Sequence, residues 1–243
     1  MTERLPSLVD PPILFAHRGA RAHAPENTIE AFTLALRLGA TGVESDVWVT
    51  ADGAAVLDHD GLVRRGLRRT AIGGLARTDL PADIPTLDEL YEAIGPDVQV
   101  SLDVKDPDVL DEVLATARRA GASERLWLCH PDLDLLADWK QRCGAVRLVH
   151  STRLGALGGK PEPHAARLRE FGIDAVNLHH SEWSGGMVAL YHRFRRMALG
   201  WDAQHERVIR SLLGTGIDGV FSDHVDRLVD AAGEGPDDPA RTR

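Results

Sequence analysis

The sequence lacks the features that assign a chain to several specialised classes. It has two cysteines in 243 residues, too few for a disulfide framework. Its apolar runs fall far short of the roughly 20 residues that a membrane span requires. Lys and Arg number 28 against 37 Asp and Glu, for a formal net charge of −9. This balance argues against a nucleic-acid or anionic-membrane surface, because both favour clustered basic residues.

The cysteines and the N-terminus also bear on the compartment. Cys129 and Cys143 could form one bridge, but we expect them to be free core thiols in a reducing environment. The first residues, MTERLPSLVDPP, contain no apolar segment before a cleavage site, so we expect no secretory signal. A cytoplasmic location is therefore expected.

What the chain does have is a regular alternation of short apolar and longer amphipathic segments. Hydrophobic residues make up 43% of the chain, enough for a sizeable core. Eight candidate strands alternate with eight helical patterns, which favours parallel βαβ units. The candidate strands are Ile13–Ala16, Gly42–Val47, Val98–Val104, Arg125–Cys129, Val146–Val149, Ala175–Leu178, Met197–Gly200 and Gly219–Phe221.

The count predicts an α/β fold, a (β/α)₈ TIM barrel in a single domain spanning residues 1–243, with its core at about 12–232. A doubly wound open sheet is the alternative, weakened because no Gly-rich phosphate fingerprint follows the first strand. The first helix is predicted at Thr28–Leu38 with Asn27 as its N-cap. Residues 61–85 are predicted to be a short loop insertion, and residues 233–243 a disordered tail.

Gly42 to Asp60 is the stretch with the most concentrated chemistry. Glu44 and Asp46 are two residues apart, so in a strand they share one face. Asp52-Gly53 favours a tight turn, and the returning segment brings His59 back to the level of Asp46. Two adjacent carboxylates repel unless a cation or proton lies between them. A solvated edge hairpin is the alternative interpretation of this stretch alone.

Five motifs in register resemble those of the glycerophosphodiester phosphodiesterase family, in its order and at its usual intervals. They are His17-Arg18-Gly19, Pro25-Glu26-Asn27-Thr28, Glu44-x-Asp46, Thr50-Ala51-Asp52-Gly53 and His59-Asp60. The resemblance implies a TIM barrel and covers most of the chain, more loosely after Lys105. Spider-venom sphingomyelinase D toxins are similar barrels, but the second and fourth motifs favour the glycerophosphodiesterase branch.

Position alone also predicts a site, because the polar residues fall at the carboxyl ends of predicted barrel strands. Glu44, Asp46 and Asp103 would bring three carboxylates together, which suits a hard divalent cation, Mg²⁺ or Ca²⁺. Zinc is disfavoured because no Cys–His spacing of the usual kind is present. The resemblance implies Glu44 and Asp46 as metal ligands. It suggests a third ligand at Asp103, where the family usually has Glu; a structural ion pair of Asp103 with Lys105 is the alternative.

The resemblance and the side-chain chemistry also predict catalytic and substrate-binding residues. The resemblance implies that His17 and His59 are catalytic, and imidazole suits acid–base work near neutral pH. Arg18 offers a planar fork for a phosphate, and Lys105 a point charge. Trp201 is predicted to pack against the glycerol carbons, with a core role left open.

Several histidines have no counterpart in the family motifs. For His179-His180 we weigh a metal or substrate role against an ordinary structural one. His164, His192 and His205 fall in helical stretches and are expected to be solvated.

Together these features predict metal-dependent hydrolysis of small-molecule glycerophosphodiesters to glycerol 3-phosphate and an alcohol. One alternative is a lysophospholipase D-type phosphodiesterase, which an exposed apolar rim would favour. The other is a non-catalytic phosphate-ester binding protein, which the loss of a histidine or ligand would signal. The sequence does not set the oligomeric state.

Overall fold

Short parallel strands closing on themselves form the centre of the molecule, in a computed structural model that describes residues 5–65 and 68–233. The strands are β1 (Ile13–His17), β2 (Gly42–Val49), β3 (Ala55–Leu57), β4 (Leu62–Arg65), β5 (Arg68–Ala71), β6 (Gln99–Val104), β7 (Leu126–His130), β8 (Arg147–Ser151), β9 (Ala175–His179), β10 (Met197–Trp201) and β11 (Gly219–Ser222). The helices are α1 (Ile29–Arg37), α2 (Leu87–Ile94), α3 (Leu110–Ala120), α4 (Leu133–Cys143), α5 (Pro161–Glu170), α6 (Gly185–Arg193), α7 (Glu206–Gly214) and α8 (Val225–Gly233).

The eight predicted strands form a closed parallel barrel. Their order around it is β1, β2, β6, β7, β8, β9, β10 and β11, and β1 pairs with both β2 and β11. Strand β3 adds antiparallel to β2 outside this ring. The predicted (β/α)₈ barrel is confirmed, and the open-sheet alternative is wrong, because β1 pairs on both sides and leaves no free edge.

Alternate residues of each strand point into the barrel and away from it. Inside, the Phe15 ring stacks on Phe221 with centroids 4.5 Å apart, and Trp127 meets Phe15 edge-on at 6.1 Å. Gly42 faces this floor without a side chain, because a Cβ there would lie 2.7 Å from the Phe15 ring. These aromatic rings therefore form a filled floor beneath the carboxyl ends of the strands. Outward-facing residues such as Leu102 and Leu148 pack under the helices.

Local signals set the helix boundaries, with one correction to the predicted cap. Thr28, not Asn27, caps α1, and its side chain accepts a hydrogen bond from the Ala31 N–H. Asn27 instead has a left-handed φ of 56° and is buried, where its Oδ1 accepts from the Ser45 hydroxyl at 2.8 Å. The prediction failed because Asn is a common N-cap, whereas here its side chain fastens the loop to β2.

The insertion after β3 has more structure than the predicted loop. Strands β4 and β5 pair as a two-stranded ribbon, followed by two short 3₁₀ turns. Val63 and Ile72 pack with Val56 of β3 in a small cluster outside the barrel. This burial explains why the segment is ordered. The predicted tail beyond residue 233 lies outside the described residues.

The N-terminal segment closes the opposite end of the barrel through Asp218. The backbone N–H groups of Leu8 and Val9 donate to Asp218 Oδ1 at 2.7 and 3.0 Å, and His192 Nε2 lies 2.7 Å from Oδ2. Burial would raise the pKa of Asp218, but hydrogen bonds from His192, the Ala198 N–H and Ser7 outweigh it and lower that pKa. His192 is therefore paired and mostly buried, and the prediction that it is solvated is wrong.

A buried polar chain runs between the barrel wall and two helices. His150 Nδ1 lies 2.9 Å from His164 Nε2, and His164 Nδ1 lies 2.9 Å from the Tyr191 hydroxyl. His164 was expected to be solvated but is buried, because its helix turns this face towards β8 and α6. Burial, and then the neighbouring His150 and Arg167, lower the pKa of His164 to about 4.

Two further expectations concern the cysteines and membrane spans. Cys129 and Cys143 are both free and buried, as predicted. Within residues 5–65 and 68–233, none of the helices has the length and apolar character that crossing a bilayer requires.

We expect His164 to weaken the fold as the pH falls from 7 to 5. The pKa of His164 is about 4 in the folded protein against an ordinary 6.5, so between these values only the unfolded chain takes up the proton. The stability lost is at most about 1.4 kcal/mol for each pH unit. In His164→Gln, which does not titrate, urea unfolding should show a smaller loss between pH 7 and 5. An equal loss in both proteins would contradict this account.

Candidate active site

The inward-facing residues at the carboxyl ends of the strands line one cavity of about 310 Å³. After the filled floor at Phe15 and Gly42, the next inward positions on β1 and β2 are His17 and Glu44. Because alternate residues of a strand face inward, the inward residues that follow the aromatic floor lie in the cavity. The lining residues are His17, Arg18, Arg21, Glu44, Asp46, His59, Asp103, Lys105, Ser151, Asn177, Trp201, Asp202, Gln204, Phe221 and Asp223.

All eight residues predicted from sequence to form the site are in this lining. A larger depression of about 670 Å³ lies elsewhere, between Pro131, Lys160 and Arg167, and contains none of them. Its size therefore does not mark the site. The chemistry lies in the smaller cavity.

The three predicted metal ligands meet on neighbouring strands. Asp46 of β2 stands opposite Asp103 of β6 in register, and Glu44 precedes Asp46 on the same face. One oxygen from each of the three carboxylates lies within 4.8 Å of the others. Glu44 and Asp46 are 5% and 2% exposed. The Asp103 side chain is 35% exposed, so two buried carboxylates and one partly exposed carboxylate share this position.

The pKa values of Glu44 and Asp103 show that placing these carboxylates together disfavours their charged forms. Burial, and the charges of Asp46 and Asp103, raise the pKa of Glu44 to about 8 although the His17 ring opposes the shift. The pKa of Asp103 is raised as well, by burial and Asp46 against the opposing effect of Lys105. Lys105 Nζ lies 2.9 Å from Asp46 Oδ1 and 3.4 Å from Asp103 Oδ2, and so offsets part of the charge.

The donor set fits a hard divalent cation. Asp46 Oδ2 is buried and accepts no hydrogen bond, although Arg18 Nε is 3.4 Å away without the alignment for one. A buried carboxylate oxygen without a hydrogen bond is unfavourable unless a ligand occupies its lone pairs. Three carboxylates are the oxygen ligands that Mg²⁺ and Ca²⁺ prefer. Asp103 lies within the cluster despite being one methylene shorter than Glu.

His17 is held by a carboxylate that the sequence analysis did not place in the site. Its Nδ1 lies 2.6 Å from Asp223 Oδ1, and its Nε2 lies 3.7 Å from Glu44 Oε2. Burial alone would lower the pKa of His17, but Glu44 and then Asp223 outweigh it and raise that pKa. The available signal was positional, since Asp223 is the next inward residue after Phe221. Asp223 therefore fixes the His17 ring with Nε2 facing the cavity.

Arg18 is positioned by a strained turn directly after β1. Its φ of 52° is left-handed, and its backbone N–H donates to Glu44 Oε2 at 3.0 Å. Its guanidinium lies 3.1 Å from Glu26 Oε1. Arg21 also lines the cavity and pairs with Glu26 at 2.6 Å. Two guanidinium groups thus face the cavity beside the carboxylate cluster, one more than the sequence predicted.

His59 lies at the rim, on the loop that follows β3. The Asp58 N–H donates to the Asp46 carbonyl at 3.1 Å, which brings the loop to the level of the cluster. Trp48 Nε1 donates to the Asp58 carbonyl at 2.7 Å and holds the loop from outside. His59 itself is 41% exposed, with Nδ1 2.8 Å from Asp60 Oδ1. The hairpin therefore delivers the second histidine to the cavity, as predicted.

Trp201 occupies the opposite wall of the cavity. It meets the His179 ring edge-on at 4.8 Å, and the Arg153 guanidinium lies 5.2 Å above its ring. Asp202 follows in a left-handed conformation with φ of 62°, which turns its carboxylate into the cavity lining. Ser151 and Asn177 complete this side and were not predicted from the sequence.

Comparison with known proteins yields one consistent family. Residues 17–227 match the model of the glycerophosphoryl diester phosphodiesterase family. A glycerophosphodiester phosphodiesterase of Caldanaerobacter subterraneus subsp. tengcongensis is 25% identical over 92% of this chain and 98% of its own. A probable glycerophosphodiester phosphodiesterase 2 of Mycobacterium tuberculosis is 28% identical over 90% of this chain and 89% of its own.

Solved structures share the fold. A Thermotoga maritima glycerophosphodiester phosphodiesterase superposes with a TM-score of 0.78 at 24% identity, over 90% of this chain and 97% of that one. An Oleispira antarctica phosphodiesterase, in complex with the product sn-glycerol-3-phosphate, has a TM-score of 0.80 at 22% identity, over 92% and 97% of the two chains.

We expect Asp223→Asn to lower the pKa of His17 in the metal-free protein. The substitution removes a carboxylate that favours the imidazolium, while the neutral amide keeps a similar shape. NMR titration of the His17 ring in the presence of a chelator measures the shift. Asp226→Asn is the matched control, because Asp226 pairs with His23 instead. An unchanged His17 pKa in Asp223→Asn would contradict the assigned contact.

Proposed function

The chain belongs to the glycerophosphoryl diester phosphodiesterase family and is a phosphodiesterase of that family, and we propose that a divalent cation and two histidines carry its reaction. The cation would be Mg²⁺ or Ca²⁺, held by Glu44, Asp46 and Asp103. His17 and His59 would transfer the protons. The products would be glycerol 3-phosphate and an alcohol.

One observation carries this proposal. Three carboxylates with oxygens within 4.8 Å of one another share a cavity with two histidines and three cationic side chains. Such a cavity has a position for a cation, positive groups for a phosphodiester and two groups for proton transfer. The Oleispira antarctica relative with sn-glycerol-3-phosphate as its product supports the same substrate class.

The cationic groups are suited to hold the phosphoryl oxygens. When bound, a hard divalent cation would supply positive charge at the phosphoryl group. Arg18 provides a planar guanidinium and Lys105 a compact ammonium at the same end of the cavity. Burial lowers the pKa of Lys105, but Asp103 and Asp46 outweigh that effect and raise it, so Lys105 stays charged at neutral pH.

Proton transfer at two oxygens completes the proposed reaction. The glycerol 2-hydroxyl attacks phosphorus and gives its proton to one histidine. The other histidine donates a proton to the departing alcohol oxygen, and a cyclic phosphate forms. Water then opens the ring, with the two histidines exchanging roles. Asp223 holds His17 for this task through the 2.6 Å contact with Nδ1.

The cavity surroundings favour water-soluble substrates over lysolipids. Among the described residues, the large exposed hydrophobic side chains are Leu5, Leu8 and Leu62, and none of the three lines the cavity. An apolar rim for an acyl chain is therefore missing from that part of the chain, which weighs against the lysophospholipase D alternative. Both histidines and all three carboxylates face the cavity. This completeness weighs against a non-catalytic binding protein.

We expect metal removal to abolish turnover of glycerophosphocholine and glycerophosphoethanolamine. Addition of Mg²⁺, Mn²⁺ or Ca²⁺ should restore turnover, because the three carboxylates provide oxygen ligands. The protein should stay folded without the metal, since the barrel has its own core, and should lose only the ligand-linked stabilisation, about 2.7 kcal/mol at a hundredfold excess of metal over Kd. Full activity after exhaustive chelation would refute the proposed metal dependence.

We expect His17→Ala and His59→Ala each to remove most of kcat without unfolding the protein. Acid–base groups contribute typically about 10²–10⁴-fold, on the order of 3 to 5 kcal/mol. The losses should not add in the double variant, because both groups serve one displacement. His205→Ala is the control, since His205 is exposed at the start of α7 and outside the cavity lining.

A substrate with a good leaving group shows which histidine is the general acid and which is the general base. A nitrophenyl ester that keeps a glycerol hydroxyl does not need its departing oxygen protonated. It should restore turnover in the variant that lacks the general acid and leave the other variant inactive. Near-native kcat in both single variants on the natural-type esters would refute the two-histidine mechanism.

A further inference from the structure

A second group of potential ligands lies across the barrel from the carboxylate cluster. His179 ends β9 and Asp202 follows β10, strands that stand opposite β2 and β6 in the ring. One ligand atom from each of His179, His180 and Asp202 lies within 4.8 Å of the others. The metal ligands and catalytic residues assigned above do not include this trio.

The backbone explains how adjacent histidines face the same way. In a continuing strand, His179 and His180 would point to opposite faces. Here the chain leaves β9 at His179 and enters a 3₁₀ turn that begins at His180. The two rings consequently lie with centroids 4.3 Å apart, tilted by 37°. Two imidazole rings at this short distance can both bind one metal ion.

His179 is held in a position that suits a ligand. Its Nε2 lies 3.2 Å from Asp202 Oδ2, and its Nδ1 lies 2.7 Å from Ser181 Oγ. The Ser181 N–H also donates to Nδ1, at 3.3 Å. A ligand on Nε2 would require the tautomer protonated at Nδ1, and the Ser181 hydroxyl can accept that proton. Such a partner on the other ring nitrogen is typical of metal-bound histidine.

Asp202 is also fixed before any ligand arrives. Gln204 Nε2 donates to Asp202 Oδ1 at 3.1 Å. Gln204 is itself oriented, because its Oε1 accepts from the Asp223 N–H at 2.9 Å. The positive charge of Arg153 near this wall is offset by Glu182, 3.3 Å away. The trio is therefore a built arrangement of one carboxylate and two imidazoles.

We propose that His179, His180 and Asp202 form a site for a first-row transition-metal dication, Zn²⁺ being the representative, at the rim of the cavity. Nitrogen ligands favour such ions, whereas Mg²⁺ and Ca²⁺ favour oxygen and belong to the carboxylate cluster. Three protein ligands leave a coordination position open. Because Asp202 lines the cavity, an ion here reverses the charge of that wall.

A second histidine cluster provides the internal comparison. His23, His224 and Asp226 also have ligand atoms within 4.8 Å of one another. The carboxylate is exposed in both clusters, but His23 is exposed and lies in a loop, whereas His179 and His180 are half-buried. The His23 and His224 rings are 6.5 Å apart, against 4.3 Å for the proposed site. We therefore expect the proposed site to bind more tightly than this cluster.

The test uses Co²⁺ as a spectroscopic probe and does not depend on catalysis. The protein is treated with a chelator, saturated with Mg²⁺ and titrated with Co²⁺, and visible d–d absorption is followed. Wild type should bind one Co²⁺ tightly, and Zn²⁺ should displace it. Loss of a residue that only hydrogen-bonds a metal ligand costs roughly 10- to 100-fold in affinity. We expect such a loss in Ser181→Ala and at least as large a loss in His180→Ala.

His23→Ala is the matched control and should keep the wild-type Co²⁺ affinity. Wild-type affinity in His180→Ala, loss of the signal in His23→Ala, or no tight Co²⁺ binding by wild type would each overturn the proposal. If His180→Ala does not fold, NMR of wild type decides. Zn²⁺ must then perturb the ring signals of His179 and His180, and unperturbed signals would overturn the site.

Discussion

Repulsion among three carboxylates is the constraint on which the rest of the cavity depends. Glu44, Asp46 and Asp103 project inward from paired strands, and burial removes most of the water that would screen Glu44 and Asp46. Burial and the neighbouring carboxylates raise the pKa of Glu44 to about 8, because both disfavour its charged form. The surrounding groups offset this repulsion, since the Lys105 ammonium pairs with Asp46 and the Arg18 N–H donates to Glu44. A structure that accepts this cost is organised to hold positive charge.

The filled floor of the barrel sets the depth at which the carboxylate cluster lies. Phe15, Phe221 and Trp127 occupy the interior below the site, and Gly42 leaves room for the Phe15 ring. The charged groups of the site therefore lie above this floor, where the strand termini and loops meet. Across the barrel from the oxygen-rich cluster, the proposed transition-metal site joins Asp202 of the cavity lining to His179 and His180. The two groups thus offer ligand types preferred by different classes of cation.

Sequence reasoning succeeded wherever the information was local. Apolar runs fixed the eight barrel strands, and the spacing of Glu44 and Asp46 fixed their common face. The Asp52-Gly53 turn predicted that His59 returns to the level of Asp46, and the Asp58 contact with Asp46 agrees. Local patterns failed where a distant partner decides. Asn27 has the character of a cap but binds Ser45, and His164 has a helical, polar context but is buried against β8 and α6.

The sequence by itself therefore determined the fold class and a set of candidate site residues that meet in one cavity, because strand alternation and motif spacing are properties of short segments. Tertiary structure alone decided which groups support them. Asp223 reaches His17 only because β11 closes the barrel against β1, more than 200 residues away in the chain. Likewise, Asp202 meets His179 only through the register of β9 with β10. Such contacts depend on barrel closure, which no local segment encodes.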